Sequence, residues 1–509
     1  MSTADLDPQA PLRKTVYALL IALGVGAILG RLLAVDSVDR AALEKYRLDN
    51  ALAEAKKQLE QQGLKPTEME QQLKLKQSEL RAKMKLMRPF LSANDRSRWA
   101  TVRALVEEDM CVDGAPYAIE KVVVQPNWDT IDMVVHDGHC YSSKPPLLAA
   151  LVAGPYWVIH RVTGETLGTQ PYAIGRALLV LCNLVPLVIM WVLLARLADR
   201  LAATDFARVF VVAAGVFGTL LTTFAVVLNN HLPAAVTAMI ALYAAYRIWF
   251  EGERRPRYFV LAGLFAALTA ADELPALALW GALGAVLLWK VPRGTLLAYV
   301  PASLVVAAAF FGTNWIAHQS LRPPYMHRSA TDPADNWYHY TYQRDGRQIP
   351  SYWQNPKGID RGEESRGVYA LHALVGHHGI FSLTPIWLLS FAGLGLWLAK
   401  RDPRGLWQWA LLILAVSVVC LWFYIMMRPP IDRNYSGTAS GFRWVFWFAP
   451  LWLVGMIPAL DAMAGRTWLR VMALALLAMS VLSASFPTWN PWTHPWLMQW
   501  MQAMGWVGG

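Results

Sequence analysis

His136-Asp-Gly-His-Cys-Tyr-Ser-Ser-Lys-Pro-Pro-Leu-Leu-Ala-Ala-Leu-Val-Ala-Gly-Pro-Tyr156 sets a lysine, Lys144, and two prolines at the head of an apolar run. Whether that run crosses a bilayer decides the orientation of every helix after it. Suppose that it does not cross. Then Arg13-Lys14, Arg196/Arg200/Arg208, Arg247/Arg254/Arg255/Arg257, Lys290/Arg293, Lys400/Arg401/Arg404 and Arg466/Arg470 all fall on one side. The short turns on the other side, Asn229-Asn-His231 and Ala271-Asp-Glu273, hold no Lys or Arg. A crossing run would move every later basic loop opposite the N-terminus. The positive-inside bias therefore favours a helix that lies along or dips into the outer interface. Gly154 and Pro155 in its middle weaken it further as a span. The fold expected is an all-α polytopic membrane protein with about eleven spans, the N-terminus inside and the C-terminus outside. Lys144 then lies on the outer face.

Composition agrees with the bilayer reading. The chain has 509 residues, 55% hydrophobic and 16% charged, where a soluble protein carries about 25% charged residues. Apolar runs of the roughly 20 residues needed to cross a bilayer core recur. A net charge of +10 fits short basic loops between spans better than nucleic-acid binding. The four cysteines fit no metal pattern. Cys182 and Cys420 lie in apolar runs, and Cys111 and Cys140 share the first loop, where a disulfide is one reading and free thiols the other.

The chain divides by composition. Residues 1–35 hold the inner N-terminus and a first span without a cleavable signal pattern. Residues 36–88 turn to Glu, Lys and Gln, with Leu52 and Leu59, and Leu73 and Leu80, one heptad apart. A break at Gly63-Leu-Lys-Pro66 makes this a helical hairpin, an antiparallel coiled coil projecting from the membrane. It reads as a spacer or as a docking arm for an envelope protein. Residues 89–171 form a first-loop catalytic segment with interfacial helices, and 172–316 form spans two to seven. A polar, aromatic-rich loop at 317–379, spans eight to eleven at 380–485 and a Trp/Pro-rich tail at 486–509 complete the chain.

With this topology the unusual polar residues collect on the outer face. Asn94-Asp-Arg-Ser-Arg-Trp-Ala100 and Lys144 lie in the first loop, His231 and Asp272-Glu273 in short turns, His377-His378 at the end of the second loop, and Arg443 at the head of a span. Cations beside a carboxylate and aromatic rings suit an anionic lipid headgroup that carries a polar cargo. Each has a plainer reading: a snorkelling lysine, a surface salt bridge from Asp95 to its arginines, an exposed turn at Asp272-Glu273, loop packing at the histidines. No metal is assigned, since adjacent histidines point apart and no carboxylate stands at ligand spacing.

An Asp, then Arg-Trp-Ala, then aromatic-Ser-Ser-Lys-Pro-Pro-Leu about fifty residues later resembles the C-superfamily glycosyltransferases that use dolichyl- or undecaprenyl-phosphate sugars. Protein O-mannosyltransferases and the aminoarabinose transferases of lipid A belong to it. The resemblance covers roughly residues 94–200 and implies roles for three matching residues. Asp95 would be the catalytic carboxylate, Lys144 the cation on the lipid phosphate, and Arg98 its helix partner. The chain departs from the family in having Asp95-Arg96 where Asp-Glu is frequent, and in the hairpin before Asp95.

The function expected is transfer of a sugar from a polyprenyl-phosphate donor to a lipid, glycan or protein acceptor, at the periplasmic face of a bacterial inner membrane. Asp95 is the base; Lys144, Arg98 and Arg443 bind the donor phosphate; Tyr141, His231, His377 and His378 are substrate contacts. A single carboxylate implies inversion at the anomeric carbon, whereas a retaining route needs a second, which Asp272 or Glu273 supplies if the fold brings it close. The partners expected are the lipid-linked sugar and membrane lipid, with no nucleic acid and no bound cofactor; any metal requirement stays open. The alternative is a transporter or flippase of lipid-linked saccharides, for which repeated halves and mid-membrane ionisable residues are the usual marks. The topology has a direct test: a cysteine introduced at Thr166 reacts with an impermeant reagent from the periplasmic side, and labelling from the cytoplasm alone contradicts the non-crossing run.

Overall fold

The computed structural model describes residues 9–34, 40–62, 66–83, 90, 92–329, 331–344, 346–401, 404–487 and 490–507. The chain is mostly helical, with two small antiparallel hairpins as its only sheets among the described residues. Six helices are long and apolar enough to cross a membrane: Ala10–Ala34, Pro171–Leu201, His231–Trp249, Pro292–His318, Leu406–Met427 and Thr467–Ser485. A bent pair, Arg443–Gly455 with Ile457–Met463, makes up to seven. By length and composition this is a multi-pass membrane protein. Further apolar helices, among them Pro256–Asp272, Leu274–Lys290 and Trp387–Lys400, are shorter. Pro146–Thr163, the run that follows Lys144, is a helix with Pro155 inside it and is not among the six.

His231–Trp249 is apolar all round and buried along nearly its whole length, the mark of a helix at the centre of a bundle. It packs against Pro256–Asp272 and Pro171–Leu201, so its first residue, His231, emerges beneath the loops. Close approach is built in where Pro256–Asp272 meets the helix from Pro292. A Cβ added at Gly263 would stand 2.2 Å from the Tyr299 carbonyl oxygen, the small-residue contact by which membrane helices pack. The N-terminal helix is held at its N-terminal end by Arg13, which donates to Asp199 at 2.9 Å and to Asp205 at 2.7 Å.

Arg40–Gln61 and Pro66–Lys83 form two helices that pack on each other, with Leu59 buried between them. Residues 63–65, on which the expected break falls, lie outside the described residues.

The first-loop helix Ala93–Val106 starts at Ser92, whose hydroxyl accepts from the Asp95 amide at 3.1 Å, a standard N-cap. It is buried along most of its length despite its charges, and it packs on Pro146–Thr163. The join is polar. Arg103 donates to Glu107 from Nε and Nη2, at 2.7 Å in the shorter bond, and Tyr156 donates to Glu107 Oε1 at 2.6 Å. Arg103 also lies 4.3 Å over the Trp128 ring. Both ion-pair partners are buried, so removing one leaves the other charge uncompensated. Glu107→Ala is expected to destabilise the protein by about 3–5 kcal/mol, read as a fall in Tm in detergent. Tyr156→Phe removes the charge-assisted hydrogen bond to Glu107 and also the acceptor of the Leu167 amide, which donates to the Tyr156 oxygen at 2.8 Å. It should cost at least about 1.5–3 kcal/mol.

Candidate functional site

The loops above the helix ends enclose a cavity of about 620 Å³. Arg96, Arg98, Asp132 and Lys144 of the first loop line it, with Asn230, His231, Asp272 and Glu273 from the short turns. The loop 317–379 adds Tyr325, Arg328, Tyr338, Trp353 and Asp360. Arg428, Asp432, Arg443 and Trp444 complete the wall with Trp492 of the tail.

The stretch that carries Lys144 is a hairpin. Met133–His136 pairs with His139–Ser142, and Asp137-Gly138 between them have φ of 49° and 82°, as a type I′ turn requires. Met133 stands opposite Ser142, so the residues just beyond them meet at the foot of the hairpin. The Ser143 amide donates to the Asp132 carbonyl at 3.1 Å, and Lys144 Nζ donates to Asp132 Oδ1 at 2.9 Å. Ser97 Oγ docks this foot onto the first-loop helix, donating to the Asp132 carbonyl at 2.6 Å. Burial opposes ionisation of Asp132. The ammonium of Lys144, backed by Arg443 and Arg98, outweighs that and holds the carboxyl below its usual range. Burial draws Lys144 down from its usual value, and Asp132 offsets only part of this.

Arg98 donates to the Asn94 side chain at 2.5 Å and to Asn230 Oδ1 at 2.6 Å. Asn230 in turn donates to Glu273 Oε1 at 2.8 Å and to the Asp272 carbonyl at 2.9 Å. Arg443 donates from Nε to the Ser436 carbonyl at 2.8 Å and lies 4.6 Å over the Trp492 ring. Tyr435, Ser436 and Gly437 have φ of 53°, 71° and 80°. Two non-glycine residues in the left-handed region cost about 1–3 kcal/mol each, and this turn aims the carbonyl that receives Arg443. On another part of the wall Arg328 and Arg428 share Asp432, at 3.2 and 3.5 Å. Arg328 lies 4.8 Å over Trp353, and Arg428 4.7 Å over Trp444.

The structure thus brings Lys144, Arg98, Arg443 and His231 into one cavity and brings Asp272-Glu273 there too. It places Asp95 elsewhere. Asp95 is buried and is not part of the cavity wall; its Oδ1 accepts from Trp99 Nε1 and from the Leu228 amide, both at 2.9 Å. Helical geometry explains the difference. Positions four apart share a face, so Asn94 and Arg98 face the cavity while Asp95 and Trp99 face the core. Tyr141 is buried against His318, with ring centroids 4.8 Å apart, and borders a smaller pocket behind Lys144. His377 and His378 are buried and do not line the cavity. His377 stacks on His372 with centroids 4.0 Å apart, and His378 on Tyr435 at 5.3 Å.

Asp132, Asp360, Arg328 and Arg428 escape a reading of the sequence by residue type. A signal for Asp132 does exist. Asp-Gly between Val134-Val135 and Cys140-Tyr141 marks a two-residue hairpin, and its register carries Asp132 to Lys144. The tail reads as a membrane-interface anchor, yet Trp492 closes the cavity beneath Arg443; Trp489 lies outside the described residues. Cys111 and Cys140 are free thiols, and burial followed by the charge of Glu120 pushes Cys140 up to about 12. Among the described residues no group of three or more His, Cys, Asp or Glu side chains is placed to hold a metal ion.

No protein-family model matches the chain, and no curated protein matches it. Among solved structures it is similar to the Archaeoglobus fulgidus oligosaccharyltransferase in complex with Zn and sulfate, with 14% identity and a TM-score of 0.39. It is also similar to the oligosaccharyltransferase AglB of the same archaeon in complex with an inhibitory peptide and a dolichol-phosphate, with 14% identity and a TM-score of 0.38. The matches cover 82% and 81% of this chain but 55% and 57% of those proteins, so it spans little more than half their length.

The buried histidines carry a pH prediction. Burial, then the neighbouring histidines, lowers His377 to about 3 and His378 well below its usual value. Both are neutral in the folded protein, whereas unfolded histidine titrates near ~6.5. Their contribution to stability is therefore complete above that value and is lost progressively as pH falls toward the folded values. Tm should fall between pH 7 and pH 4, and His377→Gln with His378→Gln should flatten that fall.

Proposed function

We propose that this chain is an integral membrane glycosyltransferase that moves a sugar from a polyprenyl-phosphate donor to a lipid, glycan or protein acceptor. We place its site at the periplasmic face of a bacterial inner membrane. One observation carries the reading: Asp132 lies in the combined field of Lys144, Arg443 and Arg98, at the wall of a cavity that also presents carboxylates and aromatic rings. Around Asp132 itself three cations meet one carboxylate, with Glu273 and Asp360 also acting on Arg443, and we read that local positive field as the place for an anion. A phosphate monoester or diester supplies it, with Lys144 as point charge and the two guanidinium groups as planar donors. Leu274, Pro275 and Phe423 give the same cavity an apolar border beside the helix Leu406–Met427, suited to a carrier chain.

In the proposed step the bond between the anomeric carbon and the phosphate oxygen breaks, and its electron pair stays on the phosphate. Lys144, Arg98 and Arg443 offset that growing charge. The acceptor oxygen bonds to the anomeric carbon from the opposite face, which inverts it, and gives up its proton. Asp95 holds Trp99 and the Leu228 amide in place, so it is a positioning residue, and the proton goes to a group on the cavity wall.

Mass spectrometry of envelope glycans and glycoproteins from a strain lacking the protein tests the reading. It predicts loss of a discrete saccharide. Loss of the saccharide with its lipid-linked sugar trapped on the cytoplasmic leaflet would instead support a flippase, and intact saccharides would contradict both readings. At the residue level, Lys144→Ala should weaken donor binding roughly ten- to a hundredfold, the worth of a buried charge-assisted contact. Lys144→Arg should recover part of it, and unchanged affinity in the alanine variant would return Lys144 to packing.

A further inference from the structure

The cavity holds more carboxylates than a phosphate site needs, and two of them are committed to cations. Asp132 is held by Lys144, and Asp432 by Arg328 and Arg428. A carboxylate fixed to a cation in the ground state has little affinity left for a proton. Asp360 accepts from Tyr352 at 3.0 Å and lies near His494 without a hydrogen bond to its ring. The Asp272 side chain, beside Glu273 on the cavity wall, is hydrogen-bonded to no histidine among the described residues. Glu273 differs. Among the described residues it forms no ion pair with Lys or Arg, and its Oε1 is hydrogen-bonded to His231 Nδ1.

Resting on the glycosyl-transfer reading, we infer that His231 and Glu273 form the proton-accepting dyad of this site, with His231 Nε2 taking the acceptor's hydroxyl proton. A carboxylate on Nδ1 fixes the tautomer that carries its hydrogen there and leaves a lone pair on Nε2. Nε2 has no hydrogen-bond partner among the described residues, although the ring is 3% exposed and lines the cavity. Buried polar atoms are nearly always satisfied, and an exception points to chemistry or to a missing partner. A substrate hydroxyl supplies that partner.

The dyad is also placed relative to the phosphate cations. Asn230 accepts from Arg98 Nη2 at 2.6 Å and donates to Glu273 Oε1 at 2.8 Å, so one amide spaces the two ends of the reaction. Tyr424 OH lies 3.4 Å from Glu273 Oε2 and steadies its other oxygen. In the step, the acceptor O–H bond breaks and its proton bonds to Nε2. The freed oxygen pair forms the new glycosidic bond, and the old bond's electrons leave on the polyprenyl phosphate. Glu273 stabilises the imidazolium until the proton passes to solvent with product release.

The experiment is single-turnover transfer from radiolabelled undecaprenyl-phosphate monosaccharides into envelope extract of a strain lacking the protein, with purified wild type choosing the donor from the panel. His231→Gln and Glu273→Gln should each slow transfer by about a hundred- to ten-thousandfold while binding the donor with near wild-type affinity. The double variant should be little worse than either single one, because both residues serve one step. Imidazole should restore part of the rate to His231→Gly and nothing to Glu273→Gln, a response that a structural role would not give. Near-normal transfer by the folded single variants, multiplying losses in the double variant, or absence of imidazole rescue in donor-binding protein would overturn the dyad. If wild type transfers no sugar from any donor, the glycosyl-transfer reading itself falls.

Discussion

An ammonium and a carboxylate 2.9 Å apart, Lys144 and Asp132, sit where the rest of the site has to be built around them. Removing two charges from water costs several kcal/mol per ion unless geometry and further hydrogen bonds compensate. The chain meets that condition locally. A two-residue turn folds the stretch back on itself, the register brings Asp132 to Lys144, and Ser97 ties the foot of the hairpin to the first-loop helix. That helix is in turn clamped to the one after Lys144 through Arg103, Glu107 and Tyr156. Remove the pair, and the buried cations near it lose the carboxylate that balances them.

The membrane helices deliver the other half. Because His231–Trp249 is buried on all but one half-buried stripe, its N-terminus meets whatever caps the bundle. What caps it is the first-loop helix, through Arg98 and Asn230, and the turn at Asp272-Glu273. The two long loops and the tail then close the wall with arginines stacked on tryptophans: Arg328 on Trp353, Arg428 on Trp444, Arg443 on Trp492. Guanidinium groups held over aromatic faces stay oriented without surrendering their charge. A cavity so lined combines anion binding, apolar contact and uncommitted carboxylates, the features from which sugar transfer out of a lipid phosphate is proposed.

Much of this was legible in the residue order, and the remainder was hidden for definite reasons. Apolar length marked a mostly helical, multi-pass chain, where about eleven spans were expected and six or seven helices are long and apolar enough to cross. Lys144, Arg98, Arg443 and His231 do meet in one cavity. Which stripe of a buried helix faces a cavity is a matter of one residue. Asp95 and Asn94 are neighbours in sequence yet face different ways, about 100° apart around the helix, and only Trp99, four residues after Asp95, hints at the core side. The coupling of Asp132 to Lys144 depended on recognising Asp137-Gly138 as a turn. His377 and His378 read as substrate contacts or as loop packing, and the rings of His372 and Tyr435 cover them. Contacts between loops distant in sequence, such as Arg328 with Asp432, leave no periodic trace at all.

The central claim is that the cations around Asp132 hold a lipid phosphate. A cryo-electron microscopy map of the protein in nanodiscs with undecaprenyl phosphate tests it most directly. The account predicts phosphate density within hydrogen-bonding distance of Lys144 and Arg443, with the carrier chain leaving past Phe423. Phosphate density at another site, with Lys144 still bound to Asp132 and the cavity empty at saturating lipid, would contradict it.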